Sequence, residues 1–190
     1  MFYHGAGLDY ITEYGIDVYS TLFLIKKSFL IENEIRFSNH FFAEDELFMC
    51  RVLLSNPNIA AVSNEVYAYV QRNDAVTKKR DPIHLSQCVR SQLDVIVKII
   101  QLAGKEDQII QESVISSIRK NIIYWFFRRL MGSDIGYREC NMMIKILNNC
   151  NILPVSRSEC SRLWFYLFAN SLSNCPPLCR LYKVLFLAMR

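Results

Sequence analysis

Three consecutive carboxylates, Glu44, Asp45 and Glu46, lie within the segment NHFFAEDELFMCRVLL, which covers residues 39–54. Two explanations fit them. Acidic side chains in the first turn of a helix are stabilised by its positive end, each by ~0.3–1 kcal/mol. A carboxylate that is held in a fixed direction can also remove a proton from a substrate hydroxyl. Glu46 is assigned to the solvent-facing side of the helix, and the choice for the other two depends on the neighbouring segments.

Cysteine and histidine residues are the next candidates for chemistry. The chain has seven cysteines, at positions 50, 88, 140, 150, 160, 175 and 179. They are interpreted as reduced thiols because the sequence begins with no pattern typical of a signal peptide. Cys175 and Cys179 lie four residues apart without a nearby histidine, and His4, His40 and His84 are scattered. These spacings do not predict a metal site.

The bulk composition narrows the class of protein. The 190 residues are 52% hydrophobic and carry a formal net charge of +4, which excludes a disordered chain and does not favour nucleic-acid binding. No apolar run reaches the ~18 residues that a transmembrane helix needs. We therefore expect a cytoplasmic protein, with contact to the inner face of the membrane as an additional possibility.

The first part of the chain mixes strand and helix signals. Residues 21–33 predict a strand followed by a helix, and residues 43–55 predict a helix ended by Asn56-Pro57. Residues 59–72 are rich in β-branched and aromatic side chains, and the alternation over Val66–Val70 predicts a strand.

From residue 81 onward the apolar period becomes helical. Asp81 is a natural N-cap before Pro82, and Gly104 is a natural stop. The spacing and the cap signals predict five helices: 82–103, 107–131, 138–149, one opened by the capping box SRSE at 156–159 and running to 168, and one from Pro176-Pro177 toward Arg190.

Three of these helical segments combine aromatic with basic residues. They are IRKNIIYWFFRRLM, SRLWFYLFANSL and LCRLYKVLFLAMR. Such helices can lie in a membrane interface through apolar burial and attraction to anionic lipid. They can also pack their aromatic rings into a helical core, and this is the interpretation that we favour. The two interpretations differ in where Trp125 and Trp164 point.

Several short segments between residues 15 and 80 occur in a recognisable order. They are Phe29-Leu30, ENEIRF at 32–37, Glu44-Asp45, Phe48, VYAYV at 66–70, Arg72 and AVT at 75–77. This ordered set resembles the C-terminal half of the catalytic domain of bacterial family-two glycosyltransferases, inverting enzymes with the A-type nucleotide-sugar fold that are common in capsular and surface polysaccharide synthesis. The family's usual serine in the last turn is Ala75 here.

The resemblance implies roles for particular residues. Asp45 would be the general base that removes a proton from the acceptor hydroxyl, and Glu44 would support or orient it. Arg72, Lys78 and Lys79 would contact the donor diphosphate, although a solvated basic loop is an equal alternative. The implied partners are a glycan or lipid-linked acceptor and a nucleotide-sugar donor.

The family's donor-binding half is not recognisable in this sequence. No Asp-x-Asp metal motif and no glycine-rich phosphate loop occur in the chain. The expected fold is α+β and mainly α: residues 1–80 as a C-terminal remnant of a Rossmann-like transferase domain, and residues 81–190 as a helical subdomain. We expect no cofactor in this chain, a divalent Mg or Mn in a full-length relative, and no sugar transfer by the chain alone. The alternative function is a non-catalytic helical module that binds a partner or a membrane surface.

The missing donor motifs lead to a direct expectation about nucleotide binding. Isothermal titration calorimetry of the purified chain with uridine or guanosine diphosphate should show no saturable binding, with or without manganese. Saturable micromolar binding would show that the chain carries a donor site that its motifs do not reveal.

Overall fold

The fold was described from a computed structural model, which covers residues 3–16, 19–62, 67–68, 70, 75 and 79–188. Within these residues the chain is mainly helical, with one two-stranded sheet. The strands and helices, in chain order, are β1 (Tyr3–Ala6), α1 (Gly7–Tyr14), α2 (Lys27–Glu32), α3 (Glu44–Leu54), β2 (Asn58–Ala61), α4 (Pro82–Ala103), α5 (Gln108–Asn121), α6 (Ile123–Gly132), α7 (Tyr137–Asn149), α8 (Leu163–Asn174) and α9 (Leu178–Ala188).

The sheet joins the start of the chain to the segment that follows α3. Strands β1 and β2 are antiparallel, with Tyr3 opposite Ala61 and Ala6 opposite Asn58. The sequence patterns did not predict β1. The predicted strand over Val66–Val70 falls largely outside the described residues, and β2 ends at Ala61, before that strand would begin.

A close approach of the backbone fixes the junction between β1 and α1. A Cβ atom on Gly7 would lie 2.5 Å from the carbonyl oxygen of Leu53 and 2.6 Å from Cδ of Pro57. The next residue, Leu8, donates its backbone N–H to Oδ1 of Asn56 at 3.0 Å. The start of α1 therefore packs directly on the turn that ends α3, and only glycine fits at this junction.

Two predicted helices agree closely with the structure. Helix α4 starts at Pro82 after Asp81, whose Oδ1 accepts the backbone N–H of His84 at 2.8 Å, and it is followed by Gly104. Helix α3 begins at Glu44 and stops before Asn56-Pro57. Capping and stop signals are local, so the sequence determines these boundaries well.

The single helix predicted over 107–131 is two helices, α5 and α6. The two meet at Ile122, where the backbone turns to φ −107° and ψ −45°. The backbone N–H of Ile122 still donates to the carbonyl of Ile118, so the chain bends there without losing this bond. Ile118, Ile122 and Phe126 are all buried, so the apolar stripe continues across the junction.

The capping box at 156–159 also differs from expectation. Both of its hydrogen bonds form, between Ser156 and Glu159, but they open a single 3₁₀ turn over Arg157–Glu159. The backbone is extended at Cys160 and Arg162, and α8 begins only at Leu163. The strand expected within 21–33 is likewise replaced by a 3₁₀ turn over Ser20–Leu22.

One hydrophobic core includes residues from both sides of residue 81. Ile11, Leu53, Ile96, Ile118 and Phe126 are each at most 1% exposed and belong to the same cluster. Helix α1 packs on α5, and α3 packs on α4. In the described part of the chain, no helix combines the length and apolar character needed to cross a bilayer.

The β1–α1 junction provides a stability test with a matched control. Gly7→Ala should destabilise the protein by about 1–3 kcal/mol, since its Cβ meets backbone atoms that cannot move aside. Gly136→Ala should change the stability by less than about 1 kcal/mol, because Gly136 has no atom within 4 Å of its Cβ position. Urea denaturation of both variants measures the difference, and equal effects would contradict the close packing at Gly7.

Candidate functional site

The acidic run begins helix α3 after a sharp backbone turn. Ala43, the residue before the helix, has φ +68° and ψ +20°, and no side chain caps the helix start. Glu44 and Asp45 are partly exposed in the first turn. Among the residues that the structure describes, neither carboxylate has a hydrogen-bond or ion-pair partner.

The segment that leads into α3 is held against α4. The backbone N–H of Phe42 donates to Oγ of Ser91 at 3.0 Å, and that hydroxyl donates to the carbonyl of Phe42 at 2.8 Å. The ring of Phe37 stacks on that of Phe48 in α3, with centroids 4.0 Å apart. These contacts fix the direction in which the first turn of α3 points.

Glu46 does not face solvent, so its assignment to the solvated side of the helix is wrong. Its Oε2 is buried and has no hydrogen-bond partner among the described residues, while Oε1 accepts from Nε2 of Gln92 at 3.2 Å. Burial raises the pKa of Glu46 from 4.5 to about 7, against the opposing effects of the Gln92 hydrogen bond and the Arg129 charge. The carboxylates of Asp45 and Glu44 add to the rise. Glu46 turns inward on the side of α3 that packs against α4, where Gln92 lies.

An amide links the buried carboxylate to a cation. Gln92 is 1% exposed, and its Oε1 accepts from Nη1 of Arg129 at 3.0 Å. The guanidinium of Arg129 lies over the ring of Phe42, 4.3 Å from the centroid. Burial lowers the pKa of Arg129, and the charge of Arg80 acts in the same direction. Arg129 and Arg80 thus place positive charge close to the acidic start of α3.

The predicted donor contacts are only partly within the described structure. Arg72 and Lys78 lie outside the described residues. Lys79 is exposed, and its carbonyl accepts from Nη1 of Arg80 at 3.4 Å. Arg80, at the end of this basic segment, lies close enough for its charge to act on Arg129.

A thiol and an imidazole meet at the edge of the same region. Sγ of Cys88 lies 3.5 Å from Nε2 of His84, and the ring of Phe41 contacts His84 edge-on. Burial raises the pKa of the Cys88 thiol, which opposes a nucleophilic thiolate. We interpret the pair as packing. In the described ranges, no three histidine, cysteine or acidic side chains are grouped closely enough to hold a metal ion.

His40 makes a polar contact that its sequence position does not reveal. Its Nε2 lies 2.7 Å from Oδ2 of Asp94, and its Nδ1 lies 2.5 Å from Oγ of Ser38. Lys98 donates to the same Asp94 oxygen at 2.7 Å, and this bond lowers the pKa of Asp94. Asp94 is more than half exposed, so the group is best explained as a second clamp between the 38–43 segment and α4.

Sequence reasoning missed Gln92 and Arg129. One signal was available, since Gln92 interrupts the apolar stripe of α4, seven residues after Leu85 and three after Val89. A polar residue at such a position needs a buried partner. The identity of that partner depends on how α4 packs on α3 and α6, which no spacing along the chain encodes.

Comparison of the chain with protein-family models, with curated protein sequences and with solved structures finds no match in any of the three.

Glu46 generates a prediction about stability and pH. Its folded pKa of about 7 lies above its ordinary value of 4.5, so the folded state holds the proton more tightly. Stability should therefore fall as the pH rises from about 4.5 to about 7, by up to about 3 kcal/mol for this group. Glu46→Gln should remove that fall and be more stable than the wild type at pH 8.

The measurement is a series of urea midpoints between pH 4.5 and 8, taken as the difference between variant and wild type so that other titrating groups cancel. Glu32→Gln is the matched control, because it makes the same change at an exposed position in α2. Parallel pH profiles for wild type and Glu46→Gln would show that Glu46 is not buried as a proton-binding group.

Proposed function

We propose that this chain is the acceptor-side portion of an inverting glycosyltransferase, with Asp45 as the general base and Glu44 as the residue that orients it. In this proposal the sheet and α3 correspond to the C-terminal end of an A-type nucleotide-sugar fold, and the later helices form its helical subdomain. The observation that carries the proposal is the partly exposed Glu44-Asp45 pair in the first turn of α3, which has no ion-pair partner among the described residues. The ordered motifs between residues 15 and 80 supply the reaction class.

The chemistry requires little from this chain beyond positioning and proton transfer. Asp45 takes the proton of the acceptor hydroxyl as that oxygen attacks the anomeric carbon of the donor sugar. The bond from that carbon to the nucleoside diphosphate breaks on the opposite face, and the configuration inverts. The clamp between Phe42 and Ser91 supports this role, because it holds the base in a fixed direction.

The buried network supports the same assignment through charge. Glu46 is partly protonated at neutral pH, since its pKa is about 7. A neutral Glu46 reduces the repulsion among the three adjacent carboxylates of this turn. Arg129, which pairs with Gln92 rather than with Asp45, adds favourable positive charge without neutralising the base.

Few residues of this chain are proposed to contact the nucleotide-sugar donor. Lys79, together with Arg72 and Lys78 beyond the described residues, is proposed to meet the donor diphosphate, where positive charge stabilises the leaving group. A divalent cation does not fit the described residues, which group no three potential ligands. The metal and the nucleotide would therefore belong to a separate donor-binding half, and no step is assigned to them here.

A non-catalytic helical module is the alternative function. In that case Glu44 and Asp45 would serve only to start α3, where the helix dipole favours them. The two functions differ in what the loss of the Asp45 charge does to sugar transfer.

The test is Asp45→Asn, introduced into the gene of the cell that produces the protein. Loss of a general base typically lowers the rate by ~10²–10⁴-fold, whereas asparagine can still start the helix. Transfer of labelled sugar from nucleotide donors to endogenous acceptors in cell extracts measures the rate. Thermal melting of the purified Asp45→Asn variant should show a change in stability of less than about 1 kcal/mol.

Asp9→Asn is the matched control, because Asp9 is an exposed carboxylate in the first turn of another helix, α1. It should leave transfer unchanged. Equal transfer by the wild type and Asp45→Asn, or a loss of melting temperature large enough to explain the lost rate, would reject the assignment of Asp45 as the base and favour the helical module.

A further inference from the structure

Both tryptophans of the chain point outward. Trp125 in α6 is 47% exposed, and Trp164 in α8 is 55% exposed. They lie on either side of Tyr124, whose ring centroid is 5.1 Å from that of Trp125 and 6.0 Å from that of Trp164. The two helices thus bring three amphipathic rings together in one surface.

Two arginines lie over rings of this surface. The guanidinium of Arg128 lies 5.5 Å from the ring centroid of Trp125, and that of Arg162 lies 5.6 Å from the centroid of Tyr124. We use the name tryptophan patch for Tyr124, Trp125, Arg128, Arg162 and Trp164. Leu163 and Leu167, 56% and 58% exposed, continue its apolar part along α8.

The tryptophans are exposed although the helices that carry them also bury aromatic side chains. The same two helices bury Phe126, Phe127 and Phe165, which are at most 4% exposed and contact one another through their ring edges. The expectation that the aromatic residues pack inward is therefore correct for these phenylalanines and wrong for both tryptophans.

The helical segments that carry the patch are basic. Residues 113–133 and 160–190, which include α6, α8 and α9, contain eight lysines and arginines and no aspartate or glutamate. The remaining residues contain fourteen basic and eighteen acidic side chains and are net acidic. The segments that carry the tryptophan patch are thus basic in sequence, and Arg128 and Arg162 bring two of these charges to the patch itself.

We propose that the tryptophan patch binds the surface of an anionic lipid bilayer. Tryptophan and tyrosine rings favour the boundary between headgroups and acyl chains, where one part of the ring is apolar and the other is wet. Arg128 and Arg162 can pair with lipid phosphates while they remain stacked on the rings. Leu163 and Leu167 add hydrocarbon contact, so the chain lies on the bilayer through the faces of α6 and α8.

A bilayer matches this surface better than a nucleic acid does. Single-stranded nucleic acids bind through stacking of bases on free aromatic faces. Here Arg128 and Arg162 already lie over two of the three rings, and the exposed leucines give no stacking surface. The proposal is independent of the proposed sugar transfer, because it uses none of the residues around Asp45.

The experiment is vesicle flotation of the purified chain with two lipid compositions, pure phosphatidylcholine and phosphatidylcholine mixed with phosphatidylglycerol. We expect binding to the anionic vesicles that weakens as salt is added, because salt screens the arginine–phosphate attraction. Since both tryptophans lie in the patch, their emission should shift to the blue on binding and be quenched by lipids brominated on the acyl chains.

Two double variants separate the contributions. Arg128→Gln/Arg162→Gln should weaken binding about 30-fold, from ~1 kcal/mol per basic residue near an anionic surface. Trp125→Ala/Trp164→Ala should weaken it at least about tenfold through lost apolar burial. Tyr19→Ala/Ile31→Ala removes two similarly exposed side chains that are not part of the patch. This variant should leave binding unchanged.

Four results would overturn the proposal. They are equal binding by the control and the patch variants, a blue shift produced by inorganic phosphate alone, a patch-dependent dimer that forms without lipid in analytical ultracentrifugation, and tighter patch-dependent binding of single-stranded RNA than of vesicles. Circular dichroism of each variant ensures that lost binding is not lost folding.

Discussion

The structure depends first on the burial of one face of helix α4. Val89, Val95, Ile96 and Ile99 are fully buried along it, and each such side chain contributes roughly 1.5–3 kcal/mol relative to an exposed one. Helices α3, α5 and α6 all pack against α4. These contacts join elements that are distant in sequence. Helix α4 therefore sets the positions of both the acidic start of α3 and the aromatic helix α6.

A polar network crosses this apolar interface. Gln92 on α4 joins Glu46 on α3 to Arg129 on α6, and Arg129 in turn covers Phe42. A buried carboxylate without a partner for one oxygen is costly, and the raised pKa of Glu46 is the direct consequence. The network therefore ties the packing of three helices to the protonation of a group next to Asp45. It also explains how three adjacent carboxylates can be tolerated, because one of them is buried and holds a proton more tightly.

The two surfaces of interest are built by different means. At the start of α3, two partly exposed carboxylates are directed by a backbone that Ser91 and the His40–Asp94 contact hold in place. On α6 and α8, exposed tryptophans stand on helices whose phenylalanines supply the core.

The sequence by itself determined the features that depend on near neighbours in the chain. The caps of α4, the stop after α3, the boundaries of α7 and the mainly helical class follow from residues within a few positions of each other. Other features depend on contacts between residues that are distant in sequence, and only the tertiary structure decided them. They are the inward turn of Glu46, the role of Gln92, the bend at Ile122 and the direction of the two tryptophans. The spacing of apolar residues states which face of a helix is buried. It does not state which other helix covers that face, and this choice set the pKa of Glu46 and left Trp125 and Trp164 exposed.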